Sequence, residues 1–430
     1  MQRLLLVLFS VVIAAAFALV SAPRADAYWK APCIAGTKGP TCYFWKGKVT
    51  SVGDGDTIDV DVNGDGTSQP TRIRMTGINA MEHSVYSHDP AARRGACHAL
   101  EATARLEGMV DDRVVRLGAQ DPGSMSGARY RRTVAVYRDG AWRDTGQILI
   151  DEGHVLWLPA ASEWARNSRY SRGAQGAAAA RLRLWDTDYC GSGPAQGTAL
   201  KMWVNWDADG TDGTNLNGEW VKIKNLGSTG LSIGGWWFRD SYLAQHTFPS
   251  GAVIPAGQTI TLYVGSRPPT ETNTTTHFYW RRTTPVFDNV ATRGMGDGGY
   301  LFDRDGDLRL WMMYPCRYGC SDPLRGKISV RAHPSTPEEI YAQNVSTMPV
   351  DLEGYVVENA PYIYNFGPWT ILNPGERLRL VVLGSSSRNT RLVKYWGKGK
   401  YILNDGGDEV RLRTATNITI SCYAWGSMSC

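Results

Sequence analysis

Beyond residue 20 the chain has no apolar run long enough to cross a bilayer as a helix. Its second half lacks helical periodicity; apolar residues there come in short runs between Gly, Pro and Asn. Phenylalanine is sparse, with 9 residues against 16 Trp and 20 Tyr, while Gly reaches 47 of 430. These shortages argue against a helical bundle and predict a mostly β chain of about two to four domains. Zinc-ligand spacing is also missing, because Cys316-x3-Cys320 has no matching pair nearby. A charge excess is absent where it would matter. The chain carries a formal +5, but between Lys46 and Asp188 basic and acidic side chains are equal in number. Bulk charge therefore does not mark a nucleic-acid binder; only the local placement of arginines can.

The N-terminus supplies the one long apolar stretch. Arg3 precedes Leu4 to Val20, and Ala25-Asp26-Ala27 has the small-x-small pattern for cleavage before Tyr28. Residues 1–27 are expected to be an export signal, with an uncleaved anchor as the alternative. Eight cysteines follow it, as suits an oxidising compartment. Their spacing suggests local pairs, Cys33 with Cys42, Cys316 with Cys320 and Cys422 with Cys430, which leaves Cys97 and Cys190 for a long-range staple.

After a lead-in over 28–43, strands are expected at Phe44 to Val52, Val114 to Leu117 and Arg132 to Tyr137. Helices are expected over Ala91 to Val110, Gln147 to Asp151 and Ala174 to Trp185, with Glu101 and Arg105 as an i,i+4 pair and Gly153 as a left-handed cap. Gly53 to Glu82 stands out. Asp54-Gly55-Asp56-Thr57 opens a strand in which Ile58, Val60 and Val62 alternate with Asp59 and Asp61. A second strand carries Arg72 and Arg74, and a lone carboxylate, Glu82, follows. Such a hairpin brings oxygen ligands, arginine and glutamate together, a set that suits a divalent cation and a phosphate.

Residues 44–190 thus read as one domain and 191–197 as a linker. The remainder repeats itself. Glu219-Trp220-Val221, Asn225, Gly235-Trp236, Pro255 and Gly265 recur as Glu338-Glu339-Ile340, Asn344, Gly354-Tyr355, Pro374 and Gly384, each 119 residues on. Asp297-Gly298-Gly299 is echoed by Asp405-Gly406-Gly407. Two tandem domains, 198–320 and 321–430, follow from this, each a sandwich of short antiparallel strands.

The motifs Asp54-Gly55-Asp56-Thr57, Arg74 to Glu82 and Tyr130-Arg131-Arg132, with the closing Leu184-Trp185, make the first domain resemble the staphylococcal nuclease-like (thermonuclease) family. The repeats resemble lamin-tail domains, through Glu219 to Asn225, Gly235 to Asp240, Phe248 and Ile254 to Gly257, and their counterparts Glu338 to Asn344, Phe366 and Leu372 to Gly375. The fold implied is a five-stranded OB-fold barrel with three helices, then two immunoglobulin-like β-sandwiches. The activity implied is a secreted, calcium-dependent endonuclease that cuts DNA and RNA with little sequence preference and leaves 3′-phosphates.

By position, the resemblance makes Asp56, Asn79 and the Ala80 carbonyl the Ca2+ ligands. Asn79 stands where the family has a second Asp, which removes one charge and predicts weaker calcium binding. Glu82 takes the place of the proposed general base, and Arg74 and Arg132 that of the phosphate-binding pair. Arg129, Tyr130 and Arg131 are expected along a bound strand, Arg131 replacing the family's Gly, and Trp157 stands in for further aromatic contacts. His83 and His88 are expected at the surface, and Asp207-x-Asp209-Gly210-x-Asp212 and Asp303 to Asp307 as solvated turns with a calcium loop as the alternative. The repeats are expected to tether the enzyme or capture substrate. Two rival readings stay open: an inactive nuclease-like binding module, and a cell-surface adhesion protein.

Overall fold

The computed structural model describes residues 28–82, 96–187, 199–289 and 295–430. The expected export signal, the linker, His83, His88 and Cys190 lie outside them. The first ten strands are β1 (Trp29–Pro32), β2 (Thr41–Asp54), β3 (Thr57–Val62), β4 (Thr71–Met75), β5 (Ile78–Asn79), β6 (Val114–Ala119), β7 (Met125–Ser126), β8 (Arg129–Arg138), β9 (Ala141–Asp144) and β10 (Leu156–Trp157). Helices are α1 (Ala99–Val110), α2 (Thr145–Asp151) and α3 (Asn167–Ala179).

β2 carries two register shifts where it pairs with β3, and such bulges bend a strand. One end of β2 pairs with β3 and the other with β6. The pairings β2–β3–β4–β8–β6 therefore return to β2 in a cycle, with β4 and β8 parallel and the rest antiparallel. Alternation along β3 puts Ile58, Val60 and Val62 inside, where they meet Leu106 and Met109 of α1. The lead-in is part of the sheet, since β1 pairs with β2 and the Cys33–Cys42 disulfide closes their hairpin. The Cys316–Cys320 and Cys422–Cys430 pairs form as expected, and Cys97 is also disulfide-bonded.

The helices depart from the sequence reading in three ways. α1 begins at Ala99, after non-helical residues 96–98, while 91–95 of the expected helix lie outside the described residues; Arg105 grips Glu152 with Nε and Nη2 at 2.6 and 2.7 Å rather than pairing with Glu101. α2 starts at Thr145, because Asp144 caps it by accepting from the Gln147 N–H. α3 runs seven residues earlier than expected and stops at Ala179; Arg181 and Arg183 adopt positive φ, and Leu184-Trp185 close a 3-10 turn. The periodicity that decides α3 is Tyr170, Ala174, Ala177 and Ala178 on the buried face, not the alanine run itself.

The first repeat contains β11 (Leu200–Asn205), β12 (Trp220–Asn225), β13 (Leu231–Ser232), β14 (Trp237–Asp240), β15 (Gln245–Thr247), β16 (Val253–Ile254), β17 (Thr259–Tyr263), β18 (His277–Tyr279), β19 (Asp297–Phe302) and β20 (Leu308–Tyr314). Two four-stranded sheets, β11–β12–β17–β18 and β15–β14–β19–β20, face each other over a core of Val204, Val221, Ile223, Phe238, Ile260 and Leu301. Residues 328–425 repeat these pairings strand for strand, including the parallel edge pair. Glu219 and Asn225 earn their recurrence. Glu219 accepts from the Val286 N–H, and Glu338 from those of Ile402 and Leu403; Asn225 ties Thr229 to Ile254, and Asn344 ties Met348 to Leu372.

The offset is not constant. Trp237 pairs with Thr247 and its counterpart Val356 with Asn365, so the hairpin of the second copy is one residue shorter. After it Ile254 matches Leu372, and Pro255/Pro374 and Gly265/Gly384 are shifted by one residue from true equivalence. Similarly, Phe302 corresponds to Arg413, so Asp297 matches Asp408 rather than Asp405.

The same sheet of each copy faces the domain before it. Tyr300, Phe302, Leu308 and Met313 of the first copy belong to one core with Leu106, Trp157 and Trp185. Trp185 meets Trp311 edge to face at 5.3 Å and lies 6.2 Å from Tyr300. In the second copy Arg413 is buried, bonds Asp207 at 3.0 Å and pairs with Glu358, while Lys398 pairs with Asp209. Asp207 and Asp209 of the acidic loop, half-buried, are thus ion-paired with the second copy, and the loop joins the two copies. Asp303 folds its own turn, accepting from the Asp305 and Asp307 N–H groups.

Candidate functional site

The turn between β2 and β3 builds the floor of a cavity of about 690 Å³. Asp54 closes this turn by accepting from the Asp56 N–H at 2.9 Å. Gly55 allows helix α1 to approach: a Cβ there would stand 2.8 Å from those of Ala102 and Ala80. Asp56 thereby points inward, buried, while Asp59 pairs at 3.3 Å with Arg72, which shares the face of Arg74 and also lines the cavity. After β4, Gly77 has φ +84°, and any Cβ would strike the Tyr170 ring at 2.6 Å. That sharp turn aims Asn79 and Ala80 back at Asp56.

Asp56 is saturated by donors. Its carboxylate pairs with Arg74 and accepts from the Ala80 N–H at 2.7 Å, from Thr57 Oγ1 at 3.0 Å and from Asn79 Nδ2 at 3.4 Å. Burial raises its pKa to about 6 against the pull of the Arg74 guanidinium, and the neighbouring Asp54 carboxylate pushes the same way as burial. Arg74, Arg129, Arg131, Glu82 and Asn79 line the same cavity. Glu82 is exposed at its rim. Register explains the grouping: Thr57 stands opposite Arg74, Arg74 beside Arg131, and Arg129 donates to Thr57 Oγ1 at 3.2 Å.

Arg132 is a correction. Strand alternation turns it and Tyr130 to the other face of β8, away from the cavity. There Arg132 lies buried over Trp45 and Tyr130, 4.4 and 4.8 Å from their ring centres. It donates to the Arg131 and Pro122 carbonyls at 2.8 and 2.7 Å. Arg132 therefore holds the Asp121–Ser124 turn, and Arg131, placed in the sequence reading only along the strand, is the second guanidinium beside Arg74. Tyr130 lines a smaller groove with Tyr28 and Trp45. Trp157 is fully buried in the core and cannot touch a ligand. Of the nine expected site residues, Asp56, Arg74, Asn79, Ala80, Glu82, Arg129 and Arg131 come together, while Tyr130 and Arg132 do not.

Three residues not singled out for this site reach it from the first repeat. Arg239 of β14 is buried and donates through Nη1 to Asn79 Oδ1 at 2.7 Å, and Tyr242 and Leu243 of the following turn line the cavity. Burial lowers the pKa of Arg239 to about 10, which leaves it charged at neutral pH. A contact across 160 residues has no local signal in the sequence.

Calcium takes about six to eight oxygen ligands, several of them carboxylate. Here the buried Asp56 carboxylate is ion-paired, the Asn79 oxygen is bonded to Arg239, and Ala80 turns its N–H to Asp56; Asp54 and Glu82 also line the cavity. Two unit charges about 4 Å apart interact by roughly 4 kcal/mol near a protein surface, so each guanidinium beside the site offsets the attraction that one carboxylate there gives a cation. Among the described residues no three His, Cys, Asp or Glu side chains are grouped to hold a metal. The donor set as arranged does not fit the ion.

Comparison with known families assigns residues 204–315 to the Lamin Tail Domain. That span covers the first repeat from β11 to β20 and contains Arg239, Tyr242 and Leu243. No curated protein matches the chain. No helix among the described residues is long and apolar enough to cross a membrane.

Proposed function

We propose that the chain is an exported nuclease, in which a thermonuclease-like OB-fold barrel cuts phosphodiester bonds of DNA and RNA with little sequence preference. The observation that carries this reading is the cavity in which Arg74, Arg129 and Arg131 converge with Glu82 at its rim. The cyclic pairing of five strands supports the barrel, and the repeated pairings of 328–425 support a second lamin-tail domain. Disulfides support export.

In this mechanism the planar forks of Arg74 and Arg131 grip the non-bridging phosphate oxygens and stabilise the charge that develops on them. Glu82 accepts the proton of the attacking water as its oxygen bonds to phosphorus, the P–O5′ bond breaks, and the 5′ oxygen takes a proton from solvent, which gives a 3′-phosphate and a 5′-hydroxyl. Contacts to phosphate alone carry no base information, so specificity is low and affinity falls with salt. Single or frayed strands fit best, because the phosphate must approach arginines below the cavity mouth. Calcium comes with the resemblance, and Asp56, Asn79 and Ala80 would be its ligands; since the set does not fit, no step is assigned to it. The lamin-tail domains do more than tether, as the first of them walls the cavity.

Plasmid DNA and RNA incubated with the wild type and with Glu82→Gln, in calcium and in chelator, test the reading. Cleavage by the wild type and its loss in the variant support it. Binding without cleavage, unchanged by the substitution, would establish the inactive binding module instead. No binding at all, with the protein retained on the cell envelope, would favour adhesion.

A further inference from the structure

Arg239 fixes which way Asn79 faces. A guanidinium has only donors, so the Asn79 oxygen must point to Arg239, and the amide NH2 is left to face Asp56 at 3.4 Å. Four donors are then directed at Asp56, namely Arg74, Thr57, Asn79 Nδ2 and the Ala80 N–H, and the Asp54 carboxylate stands beside it. A cation needs oxygen, and at this position Asn79 offers N–H.

The arrangement is specific to the first repeat. The position equivalent to Arg239 in the second repeat is Glu358, which pairs with Arg411 and Arg413 instead. The one-residue excess of the first hairpin also falls in the turn after Arg239, where Tyr242 and Leu243 meet the cavity; Leu243 is exposed and held at φ +74°. Nor can Arg239 readily swing away. Its guanidinium lies 5.6 Å from the ring centre of Phe302, which stacks on Trp237 at 4.0 Å and belongs to the core shared with Trp185.

We propose that Arg239 is a positioning residue of the site: by holding the Asn79 amide oxygen away from Asp56, it makes phosphodiester binding there independent of a divalent cation. The phosphodiester part rests on the nuclease reading above; the calcium part does not. Arg239 supplies permanent positive charge from behind Asn79, and the first lamin-tail domain is thereby a component of the site.

Calcium titration calorimetry on the full chain tests the cation part. The wild type and Asp56→Asn give the same isotherm, because the site holds no calcium. Arg239→Ala frees the amide to turn and gains one equivalent, whereas Arg239→Lys, also donor-only, gains none. Asn79→Asp gains one equivalent with Arg239 in place, since a carboxylate offers one oxygen to each side; it carries the test if Arg239→Ala unfolds. A fluorescent single-stranded DNA oligonucleotide read by anisotropy tests the phosphate part. Chelator changes wild-type affinity by less than about twofold and that of Asn79→Asp by roughly tenfold or more, the usual scale for residues that orient ligands. Loss of one calcium equivalent in Asp56→Asn, or no gain in Asn79→Asp, overturns the proposal. If the wild type binds no oligonucleotide under either condition while the calcium pattern holds, the nuclease reading fails and the role of Arg239 in excluding the cation stands.

Discussion

Trp185→Ala tests whether the lamin-tail domain at 204–315 and the cyclic sheet before it fold as one unit. Trp185 is fully buried and has one domain on each side: the core around Leu106 and Trp157, and the rings of Tyr300 and Trp311. Burying a tryptophan removes roughly 200 Å² of surface from water, worth about 5 kcal/mol at 25 cal/mol per Å². Truncation to alanine at such sites costs about 3–5 kcal/mol once partial collapse of the cavity is allowed for. Hydrogen exchange read by mass spectrometry separates the two sides. The account predicts that peptides from β2, β3 and α1 and peptides from β19 and β20 lose protection together, by a common free energy in that range. Loss confined to one side, with the other unchanged, would refute a shared core and with it the fixed position of Arg239.

Three further outcomes follow from the geometry. His98 Nε2 and His154 Nδ1 are 3.0 Å apart, and burial lowers both to about 4. Both are neutral in the fold while the unfolded chain takes up protons from about pH 6.5. Their contribution is thus complete above that pH and is lost as pH falls towards 4, by at most about 1.4 kcal/mol per unit for each, which urea midpoints between pH 7 and 4 will show. Glu358→Gln leaves the buried Arg413 with Asp207 alone and should cost about 3–5 kcal/mol, measured by thermal unfolding together with proteolysis between the copies. Arg105→Ala breaks the pair with Glu152, which is about one-third exposed, and should cost no more than about 1 kcal/mol by the same melt.

Much of the site was legible because its parts are local. Ile58, Val60 and Val62 mark the inner face of β3, and Arg74, Asn79 and Glu82 lie within nine residues on a strand and its turn. What failed did so for identifiable reasons. Arg131 and Arg132 differ by one residue, and in a strand one residue decides the face; motif matching alone carries no such phase. The copies fell out of step after Arg239 because the hairpin turn of the second is one residue shorter, which leaves the fold intact and moves the matches at Pro255 and Gly265 by one. α3 was misplaced because an alanine-rich run signals propensity, whereas burial of Tyr170 and Ala174 sets the boundaries. Arg239 could not be read at all, since its partner Asn79 is 160 residues away and its only trace is the contrast with Glu358 in the second copy.

The most direct measurement is cleavage of an end-labelled single-stranded oligonucleotide by the full chain, with Arg131→Ala and Arg132→Ala compared at equal folded fraction. The account predicts wild-type cleavage to 3′-phosphate ends. Arg131→Ala should lose about 10²–10³ in rate, as expected for a donor to a developing oxyanion, and Arg132→Ala should stay within about tenfold of the wild type. No cleavage by the wild type with or without calcium, or a loss in Arg132→Ala that Arg131→Ala does not share, would contradict it.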